Sequence, residues 1–437
     1  MLRKKNNKKD QQKKEKSKKT PFFSRISRRY HKVKDAMFCD LDEKESSSFS
    51  VIEVVVIILI SILFGIVIGY MITYGKDPLH GSSGGSNLRE VINAYQGIVD
   101  DYYDDLDQEK LANAAIKGMI SSLDDPYSSY MNRELTDDFN ETVDGSFIGI
   151  GVVIAYEEDY SRIIDIYDNS PAFKAGLKVD DRIVEVDGED VKGYNGDQLS
   201  SLIRGKRGTK VVVSVQRGEE KLSITMSRDV IDLPSVYDDV FEEDNKKIGY
   251  IQITTFAANT YDQFKKSLLK LEKDHIQSLI IDVRDNPGGH LLQTKEILSL
   301  FFPKKTVLYQ IETKNLKQKV YSNTDETRTY PIAILINSAS ASASEILASC
   351  FQENYKKSFI VGSTSYGKGT VQKSLTLSSG TSIKYTTQKW LTSKGIWLEN
   401  KGVVPDYVVN QADEFYEIAT FENDTQLQEA IKQIKES

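Results

Sequence analysis

Two short stretches of this chain could together perform acyl transfer. Ser338-Ala339-Ser340-Ala341-Ser342-Ala343-Ser344-Glu345 offers serine hydroxyls, and Tyr366-Gly367-Lys368-Gly369-Thr370-Val371-Gln372 offers a lysine. A serine hydroxyl is a weak nucleophile until a base takes its proton. Histidine is a common choice of base, yet the chain has only four. His31 precedes a long apolar run and His80 lies in a Gly/Ser stretch, which leaves His275 and His290 for a Ser-His-Asp arrangement. His275, after Lys273-Asp274, reads as a solvated residue. His290, after Asn286-Pro287-Gly288-Gly289, is open to a place near the site or to a plain loop position. A lysine serves as base only when neutral, which requires its pKa to fall from about 10.4 to about 7 at a cost of roughly 4 to 5 kcal/mol. Desolvation supplies such a shift, and Lys368 lies in a segment with few other charges.

The elements around these residues follow from hydrophobic pattern. Ile332-Ala333-Ile334-Leu335-Ile336 reads as a buried strand and Glu345 onward as a helix, so the Ser/Ala tract occupies a strand-to-helix turn. A helix N-terminus presents free backbone N–H groups and a partial positive charge, which suits the oxyanion formed when a serine attacks a carbonyl. Ile248 to Ile253 and Leu279 to Val283 read as further strands and Phe264 to Leu271 as a helix, giving an α/β core.

With these motifs in place, the chain resembles the carboxyl-terminal processing proteases, also called tail-specific proteases, which are Ser/Lys peptidases. The resemblance rests on the two stretches above, on Asp282-Val283-Arg284-Asp285-Asn286-Pro287-Gly288-Gly289 and on Gly402-Val403-Val404-Pro405-Asp406, in the same order from about Asn87 to about Val409. It implies a ClpP/crotonase-like α/β protease core with an inserted α+β PDZ domain, and an enzyme without cofactor or metal. It also implies Ser342 as nucleophile, Lys368 as general base and Gln372 as the residue that orients the lysine. The backbone N–H groups of Gly288, or Gly289, and of Ala343 would form the oxyanion hole. The Ser-to-Lys separation is one residue longer than is common in the family and the tract carries an extra Ser-Ala repeat, so Ser340 and Ser344 stay as alternative nucleophiles.

Residues 146–228 resemble a PDZ domain, with Phe147-Ile148-Gly149-Ile150-Gly151 at the position of the loop that captures a peptide's terminal carboxylate while the peptide joins the sheet edge. Ser170-Pro171-Ala172 and Asp181-Arg182-Ile183 follow in the order expected. Arg204 is open to two readings, a solvated turn residue or a link between ligand binding and the protease. In the family the helical segment 87–145 supports homodimers. Leu88, Val91, Ile92, Tyr95 and Val99, then Leu111, Ala115, Ile116 and Met119, recur there at helical spacing. Residues 229–437 would be the protease core, ending in a helical tail from Leu427 to Ile434.

Composition places the rest. Residues 1–50 hold 16 Lys/Arg against 7 Asp/Glu and read as a disordered basic arm. From Val54 to Ile72 no charge occurs, and these 19 residues are enough to cross a bilayer core of about 30 Å. The expectation is a transmembrane helix over 51–74, a cytoplasmic N-terminus, lipid contact, and a Gly/Ser tether over 75–86 leading to an extracytoplasmic enzyme at the cell membrane. The composition is compatible with a Gram-positive bacterium. Lysines also bind nucleic acid, but the acidic remainder offers no second basic surface and the membrane reading is preferred. Cys39 and Cys350 fall on opposite sides of the expected span, so no intrachain disulfide is expected. Zinc-binding His/Cys motifs, phosphate-cradling loops and dinucleotide fingerprints are absent from the sequence. The reading is therefore a membrane-anchored serine endopeptidase acting on exposed C-terminal tails. The rivals are a catalytically silent PDZ scaffold, which intact Ser342, Lys368 and Gln372 argue against, and a nonproteolytic acyl transferase, which the tail-binding module argues against.

Overall fold

The computed structural model describes residues 56, 58–66 and 85–436, which fall into two units, Met1–Leu106 and Asp107–Ser437. The basic arm 1–50 and Cys39 lie outside the described residues, as does most of the tether 75–86. In the first unit, residues 56 and 58–66 are helical. Among the described residues no helix is long and apolar enough to cross a membrane. The expected transmembrane helix over 51–74 is corrected accordingly, and with it the membrane anchor and the cell-membrane localisation. The rest of that stretch lies outside the described residues. The same unit contains α1 (Gly85–Asp101), whose Leu88, Val91, Ile92 and Ile98 are exposed.

The second unit opens with α2 (Gln108–Ser121), β1 (Ser129–Met131) and α3 (Arg133–Asp144). Asp107 and Asn132 cap the two helices, each side chain accepting a backbone N–H of the first turn. Gly145 ends α3 at φ +65°, where a Cβ would lie 2.4 Å from Asn259 Oδ1, so only glycine fits this turn. The chain then enters β2 (Ser146–Gly149) and the PDZ-like body. That body comprises β3 (Val152–Ala155), β4 (Arg162–Ile166), α4 (Pro171–Ala175), β5 (Arg182–Val186), β6 (Glu189–Asp190), α5 (Gly196–Ile203), β7 (Lys210–Arg217) and β8 (Glu220–Ser227). It leaves through β9 (Asp229–Asp232), which pairs antiparallel with β2. Entry and exit are thus neighbouring strands, and Leu233 N–H closes the loop onto the Gly145 carbonyl at 2.8 Å. This pairing lets a whole body sit within another without breaking its core. The strand order β3-β4-β5-β7-β8 encloses Ile150, Ile163, Ile183, Val213, Val215 and Leu199.

The core follows as β10 (Val236–Glu243), β11 (Lys246–Ile253), α6 (Thr260–Lys273), β12 (Ser278–Asp282), α7 (Leu291–Ser299), β13 (Val307–Glu312), β14 (Lys317–Tyr321) and β15 (Ile332–Ile336). After these come α8 (Ala343–Asn354), β16 (Ser358–Gly362), β17 (Thr370–Thr376), β18 (Ser382–Leu391), β19 (Tyr407–Val408), α9 (Asp413–Glu417) and α10 (Thr425–Glu436). One sheet runs β10-β11-β12-β15-β16-β19 and is parallel from β11 onward. Strands β12 and β15 are apolar along nearly their whole length because both faces are covered. Ile281, Ile334, Ile346 and Phe351 pack on one side, and Ile280, Leu335, Leu427 and Ile431 on the other. A second sheet joins β1, β18, β13, β14 and β17 entirely in antiparallel pairs. The expected α/β core is therefore corrected to α+β. Apolar runs revealed the parallel strands, whereas the hairpins β10–β11, β13–β14 and β17–β18 form large antiparallel portions.

The C-terminal helix is pinned by charge as well as by packing. Arg284 binds both Asp282 (2.6 Å) and Asp424 (2.8 Å), all three nearly buried. Burial opposes the Asp424 carboxylate, yet the Arg284 hydrogen bond and charge hold its pKa below the usual carboxylate range. Removing one partner of such a group strands the others, so Asp424→Ala is expected to cost about 3 kcal/mol in urea unfolding.

Candidate active site

The nucleophile turn is stitched to the loop after β12. Ser340 Oγ donates to the Val283 carbonyl (2.7 Å), Ser344 Oγ to the Asn286 carbonyl (2.9 Å), and Ala341 N to the same carbonyl (3.0 Å). Both hydroxyls are fully buried and committed to structure, whereas Ser342 is only partly buried. Ser342 stands directly before α8 at φ 54°, ψ −108°, a region costly for a residue with a Cβ, about 1 to 3 kcal/mol. This strained backbone sets a partly exposed serine at a helix N-terminus.

A residue without a role in the sequence reading holds this geometry. The Glu345 carboxylate is fully buried in the first turn of α8. Its Oε2 accepts the N–H of Ser342 (2.7 Å) and the N–H of Lys368 (2.9 Å). Its Oε1 accepts the Ser365 hydroxyl (2.6 Å) and the Gly367 N–H (2.7 Å). One carboxylate thus joins the backbone of the serine to that of the lysine. The signal available in sequence was the Ser-x-x-Glu spacing of a capping box, which predicts the bond to Ser342 but not those to the lysine segment.

Lys368 is further fixed by the Trp390 indole, which donates to its carbonyl (2.7 Å), and by Glu399, which accepts the Gly369 N–H (2.6 Å). Burial pushes the lysine amine down from its ordinary value; the charge of Lys384 adds to this, and Glu399, Asp125 and Glu345 oppose it. Its Nζ lies 4.9 Å from the centre of the Tyr127 ring, and among the described residues no hydrogen bond joins it to Ser342 Oγ. Gln372 does not reach the lysine either. Its Nε2 donates to Thr370 Oγ1 and Thr386 Oγ1, each at 3.0 Å, and Thr386 is its cross-strand partner in β18.

Gly288 abuts the serine so closely that a Cβ on it would lie 2.8 Å from the Ala341 carbonyl and 2.9 Å from Ser342 Cβ. Its N–H is turned onto Asn286 Oδ1 (2.9 Å). Ala343 is the first residue of α8, where the N–H has no acceptor within its own helix. Gly289 is held at φ 142° against the Phe256 carbonyl. His290 is the residue before α7, with Nε2 buried and without a hydrogen-bonding partner, and His275 is an exposed residue after α6. Cys350 is buried in α8, where burial pushes its thiol far up. Among the described residues no group of His, Cys, Asp and Glu could hold a metal ion.

In the PDZ-like body Phe147, Ile148 and Gly149 lie in β2, followed by Ile150, which is buried in the core. Gly151 turns at φ 81°, where a Cβ would lie 2.4 Å from Ser170 Cβ. This loop leads into β3, the edge strand of the sheet. Arg204 ends α5, with its guanidinium 5.2 Å from the Phe147 ring and Nη1 2.6 Å from Glu141 of α3. It therefore touches both Phe147 of β2 and α3, the helix that precedes the PDZ-like body.

Residues 247–409 match peptidase family S41, residues 162–217 a PDZ domain, and residues 73–135 the N-terminal domain of the activating protease CtpB. The chain is 39% identical over 333 residues to the carboxy-terminal processing protease CtpB of Bacillus subtilis (strain 168), covering 75% of this chain and 69% of that one. It is 40% identical over 326 residues to CtpA of the same organism, covering 74% and 69%. A probable CtpA-like serine protease of Staphylococcus saprophyticus is 33% identical over 376 residues, covering 84% and 75%. With a Ser/Lys pair joined through one carboxylate and a PDZ body inserted before the core, this chain belongs to the S41 carboxyl-terminal processing proteases, and it is a serine-type peptidase of the CtpA/CtpB-like, PDZ-containing kind.

Proposed function

We propose that the enzyme captures an exposed, unstructured C-terminal tail through its PDZ domain, spanning residues 146–228, and cleaves upstream at Ser342. The observation that carries this reading is the shared Glu345 carboxylate, which sets Ser342 and Lys368 on one support. Ser342 Oγ attacks the scissile carbonyl carbon while neutral Lys368 takes the hydroxyl proton. The tetrahedral oxyanion is met by the N–H groups of Ala343 and of Gly288, the latter once released from Asn286. Lys368 then passes the proton to the leaving amine as the C–N bond breaks, leaving an acyl-enzyme. Water attacks the ester with Lys368 again as base, and Ser342 recovers its proton. Gln372 orients the lysine amine after leaving Thr386.

Since only the neutral amine serves, kcat/KM is expected to rise with pH through the lysine titration. Lys384→Met removes a like charge that lowers the Lys368 pKa, so the midpoint should move to higher pH; an unmoved pH profile contradicts this.

The tail lies along β3 with its carboxylate in the Phe147–Gly151 loop, and Arg204 reports occupancy to the core through Glu141. The Arg204–Glu141 pair is partly exposed, and such pairs contribute about 0 to 1 kcal/mol. Arg204→Ala is therefore expected to unfold at nearly the same urea concentration, while the difference in casein cleavage with and without added tail peptide shrinks. An unchanged peptide response would remove Arg204 from the coupling. The exposed apolar residues of α1 support a homodimer, which sedimentation of the full chain tests.

The experiment for the whole reading compares cleavage of a tail peptide ending in a free carboxylate with that of the same peptide amidated at its C-terminus. Preference for free carboxylates supports tail capture, and equal cleavage contradicts it.

A further inference from the structure

The lysine side chain occupies a defined place without a hydrogen bond to Ser342 Oγ. Its Nζ sits over the face of Tyr127, on the turn between α2 and β1. We propose, resting on the Ser342–Lys368 reading above, that Tyr127 is a positioning residue: its ring is the seat in which the ammonium waits, and the base reaches Ser342 Oγ only when Nζ leaves it.

The turn that carries the ring is held by hydrogen bonds. Asp125 Oδ1 accepts the Tyr127 N–H (3.1 Å), and Asp125 Oδ2 accepts the Ser128 hydroxyl (2.5 Å). Thr386 N donates to Ser128 Oγ (3.2 Å), and Thr386 Oγ1 accepts from Gln372. One residue of β18 therefore supports both the turn that seats the lysine and the amide assigned to orient it. A cation over an aromatic face is attracted by the ring quadrupole, more strongly where water is partly excluded. Burial, then Glu399 and Tyr366, push the Tyr127 phenol up to about 12, so the ring stays a neutral tyrosine at working pH.

The groups acting on Lys368 come from every neighbouring element. Glu345 of α8, Asp125 of the turn and Glu399 after β18 favour the ammonium, as does the ring; Lys384 of β18 and burial favour the free amine. Tyr366 flanks Tyr127 from the lysine's own segment. The ring contact stabilises the charged form, so its removal increases the neutral fraction at any pH below the midpoint.

The test is the pH profile of kcat/KM for casein in the full chain, with thermal unfolding followed in parallel. Tyr127→Leu removes the face and is expected to raise the rate on the acidic limb about threefold to fivefold, the value of one such contact. Tyr127→Phe keeps the face and should follow the wild-type limb. An unchanged or lower limb in Tyr127→Leu, or an equal rise in Tyr127→Phe, overturns the proposal. Should Tyr127→Leu fail to fold, Tyr127→Trp decides, since its larger face should lower the acidic limb and no change would overturn the idea. Full activity in Lys368→Ala, by contrast, would show that the Ser/Lys reading itself has failed.

Discussion

Alanine at Ser342 is expected to lower kcat/KM for casein by at least about 10⁴-fold, with alanine at Lys368 producing a loss of the same order. The two losses should not add in the double variant, because nucleophile and base act in one step and removing either abolishes it. Ser340→Ala and Ser344→Ala behave differently in this account. Each removes a buried hydroxyl that bonds the turn to the loop after β12, so both lose about 1 kcal/mol of stability and retain the chemistry. Mass spectrometry of the peptides released from casein by the four variants separates these cases.

The second large effect lies at Glu345. Its carboxylate accepts four donors, two from the serine side and the lysine backbone on one oxygen and two from Ser365 and Gly367 on the other. Glu345→Gln preserves shape but places an NH2 group against one pair of donors, whichever way the amide turns. Buried donors without acceptors cost about 1 to 3 kcal/mol each, and part of this is relieved by movement of the Ser365–Lys368 segment. A stability loss of about 2 to 4 kcal/mol is expected in urea unfolding. Together with it, kcat should fall at least about 100-fold, since a serine and base displaced by an ångström lose their alignment. KM should change little because the tail is held elsewhere. A variant with normal kcat would show that the carboxylate supports the fold without setting the dyad.

Local sequence revealed what local physics determines. The apolar run Ile332 to Ile336 is β15 to the residue, because a strand covered on both faces has no polar positions. The small residues after it mark the turn before α8, although the helix begins two residues before the expected Glu345, at Ala343. Contacts between distant segments were not legible. Tyr127 meets Lys368 only because β1 pairs with β18, and nothing near either residue encodes that pairing. Gln372 has the spacing expected of a lysine partner, yet the register of β17 on β18, with its irregularity between Val371 and Gln372, delivers it to Thr386. The uncharged stretch from Val54 to Ile72 satisfies a length rule that considers composition alone, yet among the described residues no helix is long and apolar enough to cross a membrane.

The central claim is that Lys368 activates Ser342 and no other serine. Its most direct test is mapping by peptide mass spectrometry the adduct formed by a serine-directed fluorophosphonate on the full chain, beside Lys368→Ala. A single adduct on Ser342 is expected in the unmodified chain and almost none in the variant at neutral pH. An adduct on Ser340 or Ser344, or undiminished labelling of Ser342 without Lys368, would contradict it.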